Sequence, residues 1–121
     1  MTAWQHRAAF VGVYLAEAHA LDEWPISEAP RDVRQHRSVG ERLTAARDML
    51  SELELAPPLA ANFYVDDYPS NSFNAAYASW PLRFWVLNKR EVLLKPMPKD
   101  AMYDLGELEA WLAKHAPPPL H

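Results

Sequence analysis

The sequence predicts one α/β domain built on a mixed sheet, and three observations point there. Residues 10–16 form a continuous apolar, β-rich run, Phe-Val-Gly-Val-Tyr-Leu-Ala, the pattern of a strand covered on both faces. Two later stretches open with capping signals and carry apolar residues at helical spacing. Between them lie three short β-rich runs, the last two joined by a polar turn.

Composition narrows the class. The chain has 121 residues, 50% of them apolar and 23% charged, a globular balance for one domain. Twelve basic against 16 acidic residues give a net charge of -4, which disfavours nucleic acid and anionic membranes as partners. Arg31, Arg34 and Arg37 are the one local basic cluster. Cysteine is absent, so disulfides, thiolate nucleophiles and cysteine zinc sites are excluded within these residues. The longest apolar run, residues 8–16, has nine residues; a membrane-spanning helix needs about 20. The first residues lack a signal-peptide h-region, and a cytoplasmic location is expected.

Along the chain, residues 2–8 read as the end of a helix, with Thr2 the one capping candidate. After the 10–16 strand, Pro25 and Pro30 hold residues 20–37 as a long connection. Ser38 and Glu41 form a capping box for a helix to about Leu55. Its expected buried stripe is Val39, Leu43, Ala46, Met49, Leu50 and Leu53, and Pro57-Pro58 stop it. A strand over 62–66, a polar turn from Pro69, and a short helix over 73–78 follow. Residues 82–87 and 91–95 make a hairpin, ended by Pro96 and Pro98. Asp104 and Glu107 cap a last helix to about His115, with Leu105, Leu108, Trp111 and Leu112 inward. This order matches the end of a thioredoxin-like domain, a three-layer α/β/α arrangement with a mixed sheet. There Pro81, just before the hairpin, is the residue expected to follow a cis bond. The domain spans 1–116, and residues 117–121 are a proline-rich tail.

Val13-Tyr14-Leu15-Ala16-Glu17-Ala18-His19, with Asp22 and Trp24 beyond, resembles the iodothyronine deiodinase family, whose strand reads V-Y-I-x-E-A-H before a short spacer, an acid and Trp. The likeness continues at Val33-Arg34-Gln35-His36-Arg37-Ser38-Val39-Gly40-Glu41-Arg42, similar to I-x-x-H-x-S-L-x-x-R, and at Tyr64-Val65-Asp66-Asp67, Asn71 and Tyr77-Ala78. Residues 81–87 resemble P-E-R-L-Y-V-I, and residues 108–112 the closing E-x-x-x-W-L helix. The resemblance implies a thioredoxin-like fold with a peroxiredoxin-like insertion. It implies a selenocysteine nucleophile at the end of the first core strand and reductive removal of iodine from aromatic rings with a thiol reductant. No separate cofactor is implied. It places that nucleophile upstream of the V-Y-I-x-E-A-H strand, so the first core strand and most of the first helix are expected to be missing here. The sheet would then divide into two halves, and the cysteine-free chain would be inactive alone. Two departures fall on substrate recognition. Leu82 replaces the family's Glu, and Pro96-Met97-Pro98 replaces a Gly-rich stretch with an Arg, leaving Lys95 and Lys99 as the nearest cations.

Glu17 and His19, two apart on an extended segment, point to one side. They are assigned as catalytic, a carboxylate orienting an imidazole that donates a proton, as the resemblance implies; the plain reading is a polar strand end with a loop-capping histidine. His36 is assigned to the substrate pocket, against an exposed loop position, with Trp24 and Arg37 as further substrate-binding residues. Arg37 and Arg42 could meet an anion but read more simply as a solvated face, and Trp24, Trp80, Trp85 and Trp111 as core or core-edge rings. Ser38 and Pro81 are structural. A metal site from Glu17, His19 and Asp22 lacks a third strong ligand in register, so no metal is assigned. The expected partners are a small aromatic or halogenated substrate and a thiol reductant, with a strand-exchanged homodimer left open. The alternative function is a non-enzymatic thioredoxin-fold binding or scaffold module.

Overall fold

In the computed structural model the residues described are 4, 6–26, 33–55, 57–99 and 102–118. The expectations placed on Thr2, Pro30, Arg31 and the end of the proline tail lie outside them. The protein is mixed α/β, with two compact units: residues 10–81, and residues 82–121 with 1–9.

In the first unit, β1 (Gly12–Tyr14) pairs in parallel with β2 (Phe63–Val65), Val13 opposite Tyr64. β1 is shorter than the apolar run, and half-buried rather than covered on both faces; Val11 just before it is 60% exposed. Gly12 is required by close approach, because a Cβ there would run into the Phe63 ring of its partner. α1 (Val39–Leu53) begins where expected, with the Ser38 hydroxyl accepting from the Glu41 amide at 3.0 Å. The Glu41 carboxylate reaches back to the Arg37 amide. Glu54 ends the helix in a left-handed conformation, φ 46°.

The inward stripe of α1 differs from the expected one. Arg42, Ala45 and Ala46 are buried, whereas Val39, Leu43 and Leu53 are exposed. The packed face runs through 42, 45, 46 and 49, the same period rotated by about one residue. Small alanines let α1 lie close, and α1 packs on β2. The two prolines after α1 do not simply break it: Pro57 opens α2 (Pro57–Ala61), where a missing amide hydrogen costs nothing. After β2 comes α3 (Ser72–Tyr77).

In the second unit, β3 (Val86–Asn88) and β4 (Glu91–Leu94) form an antiparallel hairpin with an irregular register between Val86 and Leu87. Residues 82–85 are not strand, contrary to expectation. The Arg83 Nη2 donates to the Pro96 carbonyl at 3.3 Å, and its guanidinium lies 4.4 Å over the Trp85 ring. α4 (Leu105–His115) is capped by the Asp104 carboxylate, which accepts from the Gly106 amide at 2.8 Å. Leu112 is buried there, but Leu105 is 69% exposed rather than part of the stripe. Arg7 donates to the Ala116 and Pro117 carbonyls past the end of α4.

The β-structure is therefore two separate two-stranded sheets among the described residues. Trp24, Tyr64 and Leu82 are each more than half exposed, so Trp24 is not a core ring; Trp80 is exposed too. No helix among the described residues is long and apolar enough to cross a membrane.

Candidate functional site

The candidate site lies within the 10–81 unit. It is built on a buried polar row rather than an apolar core. Arg42 and His36 are 1% and 4% exposed. The Arg42 Nε donates to His36 Nδ1 at 3.1 Å. Its Nη1 faces the carbonyls of Asp66 (3.1 Å) and Asp67 (2.9 Å) and Asn71 Oδ1 (2.8 Å). Carbonyl dipoles thus satisfy a buried cation that would otherwise be prohibitively desolvated.

The acceptors around Arg42 are themselves held. The Asp66 side chain, 2% exposed, accepts from the amides of Asp67, Phe73 and Asn74 at 2.8–2.9 Å. It thereby caps α3, whose own N-cap Asn71 makes no side-chain cap. Asn74 Oδ1 accepts from the Trp80 amide at 2.7 Å, and the Trp80 indole donates to the Ala16 carbonyl at 3.1 Å. The peptide before Pro81 is cis, as is that before Pro69.

On the other side of His36 stands Glu17. His36 Nε2 is buried without a hydrogen-bond partner, and Glu17 Oε1 is 3.6 Å away. Gln35 positions both residues. Its Oε1 accepts from the amides of Glu17 (3.0 Å) and His36 (3.3 Å), and its Nε2 donates to the Glu17 carbonyl (2.9 Å) and Glu23 Oε2 (3.0 Å). The Gln35 amide donates to Asp22 Oδ1 at 2.8 Å. That bond, with Arg34 and Arg37 nearby, holds the Asp22 carboxyl below its ordinary value. Burial, and then the Arg42 charge, push the His36 pKa below the ordinary 6.5, against a smaller opposing effect of Glu41.

An open cavity of about 340 Å³ is lined by Glu17, Glu23, Gln35, His36, Arg42, Tyr68, Asn71, Asn74 and Trp80, with Ala16. Of the residues assigned from sequence, Glu17 and His36 meet at this cavity. His19, Trp24 and Arg37 are not on its wall. The His19 ring instead packs on Trp24, with Nδ1 3.2 Å from the Trp24 carbonyl, and Arg37 is exposed. The structure thus brings Glu17 to His36. Arg42, read from helical spacing as solvated, is fully buried. Gln35, Asp66 and Asn74 also build the site through backbone amides and carbonyls, contacts that sequence spacing does not signal. Among the described residues no group of three or more His, Asp or Glu side chains could hold a metal ion, so Glu17, His19 and Asp22 do not form one.

A mixed α/β chain with a carboxylate and a buried, oriented imidazole facing a polar cavity has the parts of a site that binds a small molecule and handles protons. The comparisons with known proteins give the family. The model of the iodothyronine deiodinase family matches residues 1–116, and the chain belongs to that family. It is 34% identical over 108 residues to thyroxine 5-deiodinase of Sparus aurata, covering 89% of this chain and 38% of the relative. It is 29% identical over 115 residues to thyroxine 5-deiodinase of Ovis aries, covering 95% and 37%. Against type I iodothyronine deiodinase of Xenopus laevis it is 34% identical over 88 residues, covering 73% and 32%. The chain therefore spans less than two-fifths of the length of these relatives.

Proposed function

We propose that this chain supplies the substrate-binding and proton-handling part of a reductive dehalogenation site of thioredoxin-like fold, acting on a halogenated aromatic compound, with an iodothyronine the first candidate. One observation carries the reading. In a chain of the iodothyronine deiodinase family, the buried His36 Nε2 stands unpartnered beside the Glu17 carboxylate at an open polar cavity.

In this reaction the carbon–iodine bond breaks, its electron pair stays on the ring carbon and takes a proton, and the iodine is carried off by a chalcogenolate that two thiols regenerate. Overall, an aryl iodide and two thiols become the arene, a disulfide and hydrogen iodide. The 121 residues contain no cysteine, so the chalcogenolate is not among them. Glu17, on the cavity wall, is the group here that can hold and give the proton, with His19 two residues further along and off that wall. His36 offers a donor to an oxygen of the substrate, and Tyr68 and Trp80 give the cavity aromatic wall. Among the described residues each sheet has two strands, so each has edges at which a further strand could pair.

The test is a chimera. The nucleophile-bearing segment of the Sparus aurata relative, with cysteine in the selenocysteine position, is joined ahead of Phe10. Iodide release from thyroxine with a dithiol is then measured. Turnover is expected, and Glu17→Gln should lower it by about 10²–10⁴-fold. A folded chimera that releases no iodide from any aryl iodide tried would favour the scaffold reading, which the absence of cysteine from this chain supports.

A further inference from the structure

We propose that Arg42 is a positioning residue that holds His36 as the neutral imidazole with its proton on Nε2, so that His36 is a fixed hydrogen-bond donor and proton transfer falls to Glu17 beside it. The inference deepens the dehalogenation reading and rests on it for its functional meaning; the protonation state itself does not.

The argument is one of donors and acceptors. A guanidinium Nε always carries its hydrogen and offers no lone pair. Its partner at 3.1 Å is His36 Nδ1, which must therefore present its lone pair. A neutral ring with a bare Nδ1 carries its proton on Nε2, the atom 3.6 Å from Glu17 Oε1. Arg42 is not free to turn away, because its Nη1 is tied to the Asp66 and Asp67 carbonyls and Asn71. Protonating Nδ1 would set N–H against N–H between two buried cations.

The charged and titratable neighbours of His36 are Arg42 and Glu41 from α1, Glu17 following β1, and Tyr14 of β1, whose ring centroid is 5.6 Å away. Burial and Arg42 both oppose a second proton, and Glu41 favours it less strongly. An imidazole that starts neutral would become an imidazolate if it gave up its proton, so it polarises rather than protonates. His19 differs. A carbonyl oxygen only accepts, so His19 Nδ1, 3.2 Å from the Trp24 carbonyl, holds a proton. The two imidazoles thus differ at Nδ1, bare in His36 and protonated in His19.

Nitrogen NMR of the labelled chain reads this directly, with His36→Gln and His19→Gln used only to assign signals. In the unaltered protein near pH 7, His36 should show a protonated Nε2 and a hydrogen-bonded, unprotonated Nδ1, and His19 a protonated Nδ1. The His36 midpoint should lie below that of a free imidazole. Arg42→Met should turn the single His36 tautomer into a mixture and move its midpoint upward, while Arg42→Lys, which keeps the charge, should restore a low midpoint. A His36 proton on Nδ1, or a midpoint at or above the free value, overturns the assignment. An unchanged tautomer in folded Arg42→Met does so as well. If Arg42→Met does not fold, the unaltered chain still decides. An inactive chimera with the tautomers as stated would sink the dehalogenation reading and leave the Arg42 assignment standing.

Discussion

Asp66→Ala is the sharpest test of how the site is held. The Asp66 carboxylate is 2% exposed and accepts three backbone amides, those of Asp67, Phe73 and Asn74, at 2.8–2.9 Å. Two of those amides begin α3, whose N-cap Asn71 supplies no side-chain acceptor. Bonds to a charged acceptor contribute about 1.5–3 kcal/mol each, and an orphaned buried donor costs a similar amount. Because the three share one group, the loss is not threefold, and about 3 kcal/mol is the reasoned total. Hydrogen exchange at the Phe73 and Asn74 amides is the suitable assay, since it reads local opening without assuming that the two units unfold together. Protection should fall by about 10–150-fold at these two amides, the factor that about 1.5–3 kcal/mol implies. Asp66→Asn, which keeps one carbonyl acceptor, should fall between. A change below about threefold in Asp66→Ala would mean that α3 is held by its packing, and the account of the carboxylate as its cap would be wrong.

Three further outcomes follow from single contacts. Because the His36 pKa is lower folded than unfolded, the unfolded chain takes up the proton first as pH falls. Stability from this group is full above about 6.5 and declines below it, by at most about 1.4 kcal/mol per pH unit; urea titrations of His36→Gln should show a smaller acid dependence. Gly12→Ala should destabilise by about 1–3 kcal/mol through collision with the Phe63 ring, and Phe63→Leu in the same chain should recover part of it, as a double-mutant cycle would reveal. Arg7→Ala should release the Ala116 and Pro117 carbonyls, lowering stability by about 1 kcal/mol and raising hydrogen exchange at the end of α4.

What sequence reading recovers here is local, and what it misses is set by distant partners. The Ser38 cap fixes the start of α1 because the capping bond spans three residues. The hairpin turn is equally local, at Lys89 and Arg90. Residues 82–85 have strand composition but are not strand; past the Val86–Leu94 pair the partner run reaches Pro96 and Pro98, which have no amide hydrogen to donate. Leu105 begins α4 at the right spacing yet stays exposed. The motif picks out Glu17 and His36 separately and carries no sign that they meet at 3.6 Å. Pairing Glu17 with His19 follows from an extended backbone, but β1 ends at Tyr14, so the two-residue alternation no longer governs positions 17 and 19.

The rotated stripe of α1 and the buried site have one cause. A periodicity argument weights leucine and methionine and sets arginine outside, so it centres the helix on Leu43 and Leu53, both exposed. The true inward face has alanines at 45 and 46, which supply little apolar area, and Arg42 at its head. Such a face gains little from burial alone. What fixes the rotation is the set of acceptors that Arg42 meets 6, 24, 25 and 29 residues away in the chain. Turning α1 to bury Leu43 would leave those carbonyls and His36 Nδ1 without their donor, at about 1–3 kcal/mol for each buried polar group, more than one leucine returns. The helix is therefore oriented by the same cation that orients the imidazole. Replacing Arg42 by an apolar residue should shift the packing of α1 and the His36 tautomer together.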